Sequence, residues 1–285
     1  MKPPDGNRGE RRGSSRVDFA TLIGLLVAFG GILGGLVLEG GKVADVSQIT
    51  AAMIVIGGTA GAVMVTTPFP ILVAAVKKST RVFWDSTARP GPMIEQLLQY
   101  AKEARKGGLI SLESELDKIA DPFLRKGLTL AVDGADLEDV RRILEAEIAL
   151  TEQRGEAEAK VFEAAGGYSP TIGIIGAVLG LIQVMKHLED IEKVGHGIAV
   201  AFVATVYGVA LANLVLLPIG SKLKSRVQQL IQFRELTLEG LMSIAEGMNP
   251  NVMRSKLQAY ANDADGRKRK PSGAKMASVP TSRVA

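Results

Sequence analysis

Long uncharged runs alternate with charged, helically patterned ones along this chain, and the alternation predicts its elements. FATLIGLLVAFGGILGGLVL, Phe19 to Leu38, holds no charge. Neither does ITAAMIVIGGTAGAVMVTTPFPILVAAV, from Ile49 to about Val76. YSPTIGIIGAVLGLIQVM, Tyr168 to Met185, and GIAVAFVATVYGVALANLVLL, Gly197 to Leu217, complete the set. A helix needs about 20 apolar residues to cross the hydrocarbon of a bilayer, so each run has the length of a membrane span. The fold class expected is an all-α membrane protein: four transmembrane helices with a helical cytoplasmic domain inserted between the second and third.

The polar stretches carry helix start and stop signals. PGPMIEQLLQYAKEARKGG begins with Pro92 at a helix start and ends at Gly107 and Gly108. SLESELDKIADP stops at Pro122, and PFLRKGLTLAVDG stops at an Asp-Gly turn. The next segment starts at Asp136 as a candidate N-cap and runs almost to the third span. A further amphipathic helix is expected from about Ile219 to Gly247. Six segments follow: a basic stretch 1–16, the first two spans in 17–76, the cytoplasmic domain 77–167, the last two spans in 168–219, a helical region 220–261, and a basic, disordered tail 262–285. The chain shows no internal repeat.

Composition narrows the class. The 285 residues are 47% hydrophobic and 22% charged, too apolar for an ordinary soluble domain. The absence of cysteine excludes disulfides, thiol catalysis and cysteine-held metals. The net charge of +4 does not point to nucleic acid, because the basic residues flank the apolar runs. Arg8, Arg11, Arg12 and Arg16 precede the first span, Lys77, Lys78 and Arg81 follow the second, and Lys222, Lys224 and Arg226 follow the fourth. Positive residues mark cytoplasmic ends, so both termini and the middle segment are expected in the cytoplasm. The first run is too long for a signal peptide and lacks a small-residue cleavage site.

Within the spans, small residues recur three or four apart. Gly173, Gly176, Ala177 and Gly180, continued by Gln183, form one thin stripe, and Gly197, Ala201, Thr205, Gly208 and Ala212 form another. Such stripes are how membrane helices ordinarily approach one another. A second reading is that they leave room for a helix of another protein. The spans lack the titratable relay that a self-contained proton carrier needs: Asp18 and Glu39 flank the first span, and His187 and His196 lie near an outer loop. Any proton relay must then include a partner's carboxylate. Thr205, the hydroxyl in the central stripe of the fourth span, is a candidate contact for an ion or water. Pro170 and Pro218 stand at the cytoplasmic ends of the last two spans, where proline limits or bends a helix. No phosphate loop, HExxH or CxxC motif is present, so nothing points to an enzyme.

YSPTIGIIGAVLGLIQVM, GIAVAFVATVYGVALANLVLLPIGSKLK and DGADLEDVRRILEAEI closely resemble segments of MotA-type flagellar motor stator proteins, relatives of the TolQ and ExbB proton-channel proteins. The resemblance covers about residues 17–260. It implies a subunit of a pentameric ring around a dimer of MotB-type single-span partners. The partner's aspartate carries the ion, ion flow turns the ring, and the cytoplasmic domain pushes on the rotor protein FliG. The resemblance implies that Thr205, Ala177 and Thr171 line the ion path, that Pro170 and Pro218 couple ion passage to movement, and that Arg105 and Glu113 meet the rotor. Sodium-type relatives carry a threonine where this chain has Ala177, so protons are expected over sodium, with no bound cofactor or metal. It also places the protein in the bacterial inner membrane. A TolQ or ExbB type energiser is the alternative, although those proteins place the cytoplasmic insert after the first span.

Overall fold

The computed structural model describes residues 16–17, 19–80, 84–85 and 90–264. Those residues are helical apart from short connections and one antiparallel pairing of Arg16–Val17 with Trp84–Asp85. Most of the basic N-terminal stretch, and of the tail expected from residue 262, lies outside them. The chain divides into two compact units, one made of 1–88 and 145–231 and the other of 89–144 and 232–285.

In the first unit α1, Phe19–Leu38, leads through a short 3₁₀ turn at Val43–Val46 into α2, Ile49–Thr66. The second apolar run was expected to be one helix to about Val76, but it breaks at Thr67. Thr67 precedes Pro68 and takes an extended backbone with φ −124° and ψ 131°, as the residue before proline prefers. A new helix, α3 at Phe69–Ser79, restarts after it.

Two long helices form the rest of the membrane part. The helix that begins in the polar middle segment does not stop short of the third span. It runs as one 50-residue helix, α7 at Leu137–Lys186, and Pro170 lies inside it rather than at its entry. The fourth span likewise does not end at Pro218 to let a separate amphipathic helix begin: α8 is continuous over Ile191–Ala245. The proline is accommodated by a π turn at Leu211–Leu216, which widens the helix just before it. Prolines are tolerated in membrane helices where neighbouring groups or local π geometry serve the carbonyls they leave free.

Two apolar clusters hold this unit together. Ala51 and Val55 of α2 meet Val203 and Ala204 of α8, with Tyr207 and Leu211 packed beside them. Val63 and Ala75 join Ala159, Val161, Phe162, Ala165 and Leu223. Glu158, nearly buried, is paired with Lys78 at 2.5 Å. The outward side chains are strongly apolar: Leu26, Val27, Met53, Val65, Ile174 and Phe202 are all well exposed, a surface suited to lipid or to other membrane helices.

The second unit is built from α4, Pro90–Gly107, α5, Glu113–Leu116, α6, Pro122–Val132, the start of α7, the end of α8, and α9, Pro250–Ala264. The stop signals act as read: Gly108 and Gly134 take φ of 77° and 81°, conformations that side chains resist. The Asp121 carboxylate caps α6 by accepting from the Leu124 amide at 2.8 Å, and that of Asp136 accepts from the Glu138 amide at 2.8 Å. The core comprises Leu97, Leu112, Leu124, Leu128, Leu144, Leu236, Leu241, Met253 and Leu257, each essentially buried. α9 reaches Ala264, a short way into the segment expected to be disordered.

Candidate ion path and coupling elements

The small-residue stripes of α7 and α8 meet each other. A Cβ added at Gly173 would stand 2.9 Å from the Ala204 carbonyl oxygen and 3.2 Å from the Gly208 Cα. At Gly180 it would stand 2.8 Å from the Ala201 nitrogen and from the Gly197 oxygen, and at Gly208 2.7 Å from the Ser169 oxygen. Such approaches need small residues on both sides, here glycine and alanine. This corrects the expectation that the glycines leave room for another protein's helix: among the described residues the gap is filled by the chain's own neighbouring span. The face left open is the bulky one, with Ile174, Ile175, Val178 and Leu179 on α7 and Phe202, Val206 and Val209 on α8.

Within this seam the residues singled out from the sequence take definite places. Thr205 is half-buried, and its hydroxyl donates to the Ala201 carbonyl at 3.2 Å. Ala177 is half-buried beside Gly176, whose added Cβ would touch Ala204, so Ala177 and Thr205 lie at the same level of the helix pair. Thr171 is exposed and donates to the Tyr168 carbonyl at 2.7 Å. It lies nearer the Pro170 end, away from the other two.

Where α7 ends and α8 begins, α2, α7 and α8 line an open cavity of about 1020 Å³, with Thr50, Gln183, His187, Asp190 and His196 among its walls. Asp190 caps α8 through its amide contact with Lys193. Its carboxyl is held below the usual range, first by the Lys193 ammonium at 3.1 Å and then by that amide. None of Thr205, Ala177 and Thr171 lines this cavity.

Pro170 is half-buried and Pro218 exposed. Beside Pro170, the buried Ser169 hydroxyl donates to the Gly208 carbonyl at 2.9 Å, tying α7 to α8 just before the π turn. The sequence reading missed this bond, although a serine next to a span proline was its visible trace. It also missed Tyr207, whose hydroxyl donates to the Val46 carbonyl at 2.6 Å and lies 3.4 Å from the Gln48 amide. Tyr207 thereby pins the connection between α1 and α2 to α8. A lone phenol in an apolar run signals such a partner, because a buried Tyr hydroxyl seeks one.

Arg105 and Glu113 belong to the second unit, at the end of α4 and the start of α5, and both side chains are exposed. Neither makes an ion pair or side-chain hydrogen bond with another described residue. The bend between them is set by Gly108 and by the Ser111 hydroxyl, which donates to the Gly108 carbonyl at 2.7 Å. Among the described residues no cluster of His, Cys, Asp or Glu is fit to hold a metal.

Comparison with known proteins places this architecture. Residues 22–108 match the family described as Motility protein A N-terminal, and residues 115–236 match the MotA/TolQ/ExbB proton channel family. Motility protein A of Bacillus subtilis (strain 168) is 35% identical over 249 residues, which cover 86% of this chain and 91% of the relative. The chain belongs to the MotA/TolQ/ExbB proton channel family. Chemotaxis protein PomA of Vibrio alginolyticus is also similar, at 35% identity over 247 residues, 87% of this chain and 96% of PomA. Among solved structures, one of C. jejuni MotAB superposes with a TM-score of 0.82 at 33% identity, over 85% of this chain and 95% of that one. The flagellar MotAB stator complex from Bacillus subtilis gives 0.80 at 35% identity, over 87% and 98%. The match to the motility-protein N-terminal family spans the first two membrane helices. Within the MotA/TolQ/ExbB family this chain therefore has the two-plus-two layout expected of a MotA-type member.

Proposed function

We propose that this chain is the multi-span subunit of a flagellar stator and that, with a MotB-type single-span partner, it passes ions across the inner membrane and turns their flow into torque. The observation that carries the reading is the pair formed by α7 and α8. Residues 168–185 and 197–217 contain no Asp, Glu, Lys, Arg or His, yet 85% and 87% of the chain superposes on chains of MotAB structures. A conducting pair without a titratable group needs a partner's carboxylate beside it. The partner is met by the bulky open faces of α7 and α8, because the glycine seam between them is occupied. A TolQ or ExbB type energiser is disfavoured by the two spans that precede the cytoplasmic segment.

In this reading several copies surround the partner as a ring, five by the resemblance. Protons are the ion, since Ala177 offers no oxygen at the level where Thr205 does. A unit charge crossing 100 mV releases about 2.3 kcal/mol, comparable with the cost of rearranging one or two buried hydrogen bonds. Pro170 and Pro218 mark where the helices yield. Exposed and without partners among the described residues, Arg105 and Glu113 are free to steer docking on FliG by charge complementarity. The amino terminus, the middle segment and the carboxyl terminus are cytoplasmic, and the protein carries out no enzymatic step.

The test is motility with complex formation measured in parallel. In cells carrying Arg105→Glu in place of the native chain, swimming is expected to fall while the complex with the single-span partner still assembles. Swimming of the native strain is expected to be independent of sodium, and Ala177→Thr to introduce a sodium dependence. Native-speed swimming after deletion of the chain would refute the stator reading. Strict sodium dependence of the native strain would refute the proton assignment.

A further inference from the structure

The first membrane helix is loosely held by the rest of the chain. No residue of α1 from Thr21 to Leu38 is buried, and a Cβ added at Gly24, Gly31 or Gly35 would meet nothing within 4 Å. At its start α1 nevertheless reaches α8, because the Lys222 ammonium donates to the Thr21 hydroxyl. Beyond that contact the two helices part around a cleft of about 430 Å³. Thr21, Gly24 and Leu25 wall it on one side, and Leu214, Pro218 and Lys222 on the other.

The two ends of the cleft differ in chemistry. Ala28 and Asn213 line it away from Lys222, and the Asn213 amide turns back on its own helix, donating to the Val209 carbonyl at 2.9 Å. At the opposite end stand Lys222 and Thr21. Lys222 is the first charged residue after the uncharged run 197–217, so it sits where α8 leaves the apolar layer. A lysine there lays its stem on the apolar wall and carries its ammonium to the polar boundary. The cleft is thus apolar along its length with a cation and a hydroxyl at its mouth.

Size decides what fits. A further helix, from a second copy or from another protein, is about 10 Å across with its side chains. Laid along the seven-residue rise from Thr21 to Ala28, also about 10 Å, it would need about 800 Å³, roughly twice the room present. A hydrocarbon chain is far thinner than a helix and needs no polar partners along the walls. At the mouth, an ammonium beside a hydroxyl is a donor set for a phosphate diester, and basic pockets between membrane helices hold anionic lipid head groups.

We propose that the cleft between α1 and α8 binds an anionic phospholipid, with an acyl chain against Leu25 and Leu214 and the phosphate on Lys222 and Thr21. The lipid supplies packing between α1 and α8, one turn past Pro218. The site requires the membrane-spanning layout alone, and stands apart from the question of whether the chain turns a flagellum.

The full-length protein, purified in a zwitterionic detergent, is titrated with phosphatidylglycerol or with phosphatidylcholine; thermal melting and native mass spectrometry read the bound lipid. The native protein is expected to melt higher with phosphatidylglycerol than with phosphatidylcholine at equal mole fraction, and to retain the anionic lipid. Lys222→Gln is expected to need about five times more phosphatidylglycerol for the same rise, the share one basic residue contributes near an anionic surface, and Lys222→Arg to behave as the native protein. Gly24→Leu places a side chain in the cleft where nothing lies within 4 Å of its Cβ, so it is expected to fold normally and to lose the bound lipid. Phosphatidylglycerol retained by Gly24→Leu overturns the cleft as the site. Equal stabilisation of the native protein by the two lipids overturns the proposal as well. An unchanged requirement in Lys222→Gln does so even if Gly24→Leu fails to fold. Should light scattering show Gly24→Leu dispersing an oligomer that holds no phosphatidylglycerol, the cleft receives a second copy of the chain and the lipid is refuted.

Discussion

Replacing Gly173 with alanine tests the seam between α7 and α8 with a single methyl group. In a helix interior glycine to alanine is intrinsically favourable by about 0.8–1 kcal/mol, because alanine loses less backbone freedom. At Gly167, six positions earlier in α7, nothing lies within 4 Å of an added Cβ, so only that gain operates. At Gly173 the methyl would stand 2.9 Å from the Ala204 carbonyl and 3.2 Å from the Gly208 Cα, both backbone atoms of a packed helix that cannot swing aside. Overpacking of this kind costs about 1–3 kcal/mol, which offsets or exceeds the gain. The two alanine variants are thus expected to differ in stability by about 1–3 kcal/mol, with Gly167→Ala the more stable. Thermal unfolding of the protein in the same detergent, read by near-ultraviolet circular dichroism, measures the difference. Equal melting temperatures would mean that α7 and α8 do not touch along this line, and the seam would have to be abandoned.

Tyr207→Phe removes the phenol that joins α8 to Val46 and Gln48, at a cost of about 0.5–1.5 kcal/mol. It should speed hydrogen exchange in 43–48, while exchange in α9 stays unchanged. In the second unit the Arg254 guanidinium grips both carboxylate oxygens of Glu95 at 2.5 and 2.8 Å and holds that carboxyl below its ordinary value of 4.5. A lowered folded value means that the contribution is complete above 4.5 and is lost as the pH falls through the lower value, so α9 should loosen from α4 only on the acid side. The effect is small because the pair is exposed. Acid-dependent proteolysis near α9, abolished by Glu95→Gln, is the check; loosening that begins at neutral pH would contradict the assignment.

Span number, span position and the helical character of the inserted segment were all legible in the sequence. These properties depend on local composition: a run of apolar residues long enough for the bilayer, or a glycine, proline or aspartate at a helix end, carries its meaning within a few positions. The stripes themselves were legible for the same reason, since a three-to-four spacing places residues on one face whatever they meet. What the stripe meets is a different matter. Gly173 and Gly180 fit Ala204 and Gly197 equally well on paper as they fit a foreign helix, and only the tertiary structure decides for the chain's own α8. Pro170 and Pro218 resisted a local reading too. A proline ends or bends a helix according to whether its surroundings accommodate the carbonyl it leaves; here a π turn precedes Pro218 in α8, and α7 carries Pro170 inside its 50-residue length. Thr59 of α2, whose hydroxyl is buried with no hydrogen-bond partner among the described residues, shows the limit most plainly. In sequence it is one hydroxyl among several in an apolar run; its lack of a partner depends on the packing of three helices, which no local pattern specifies.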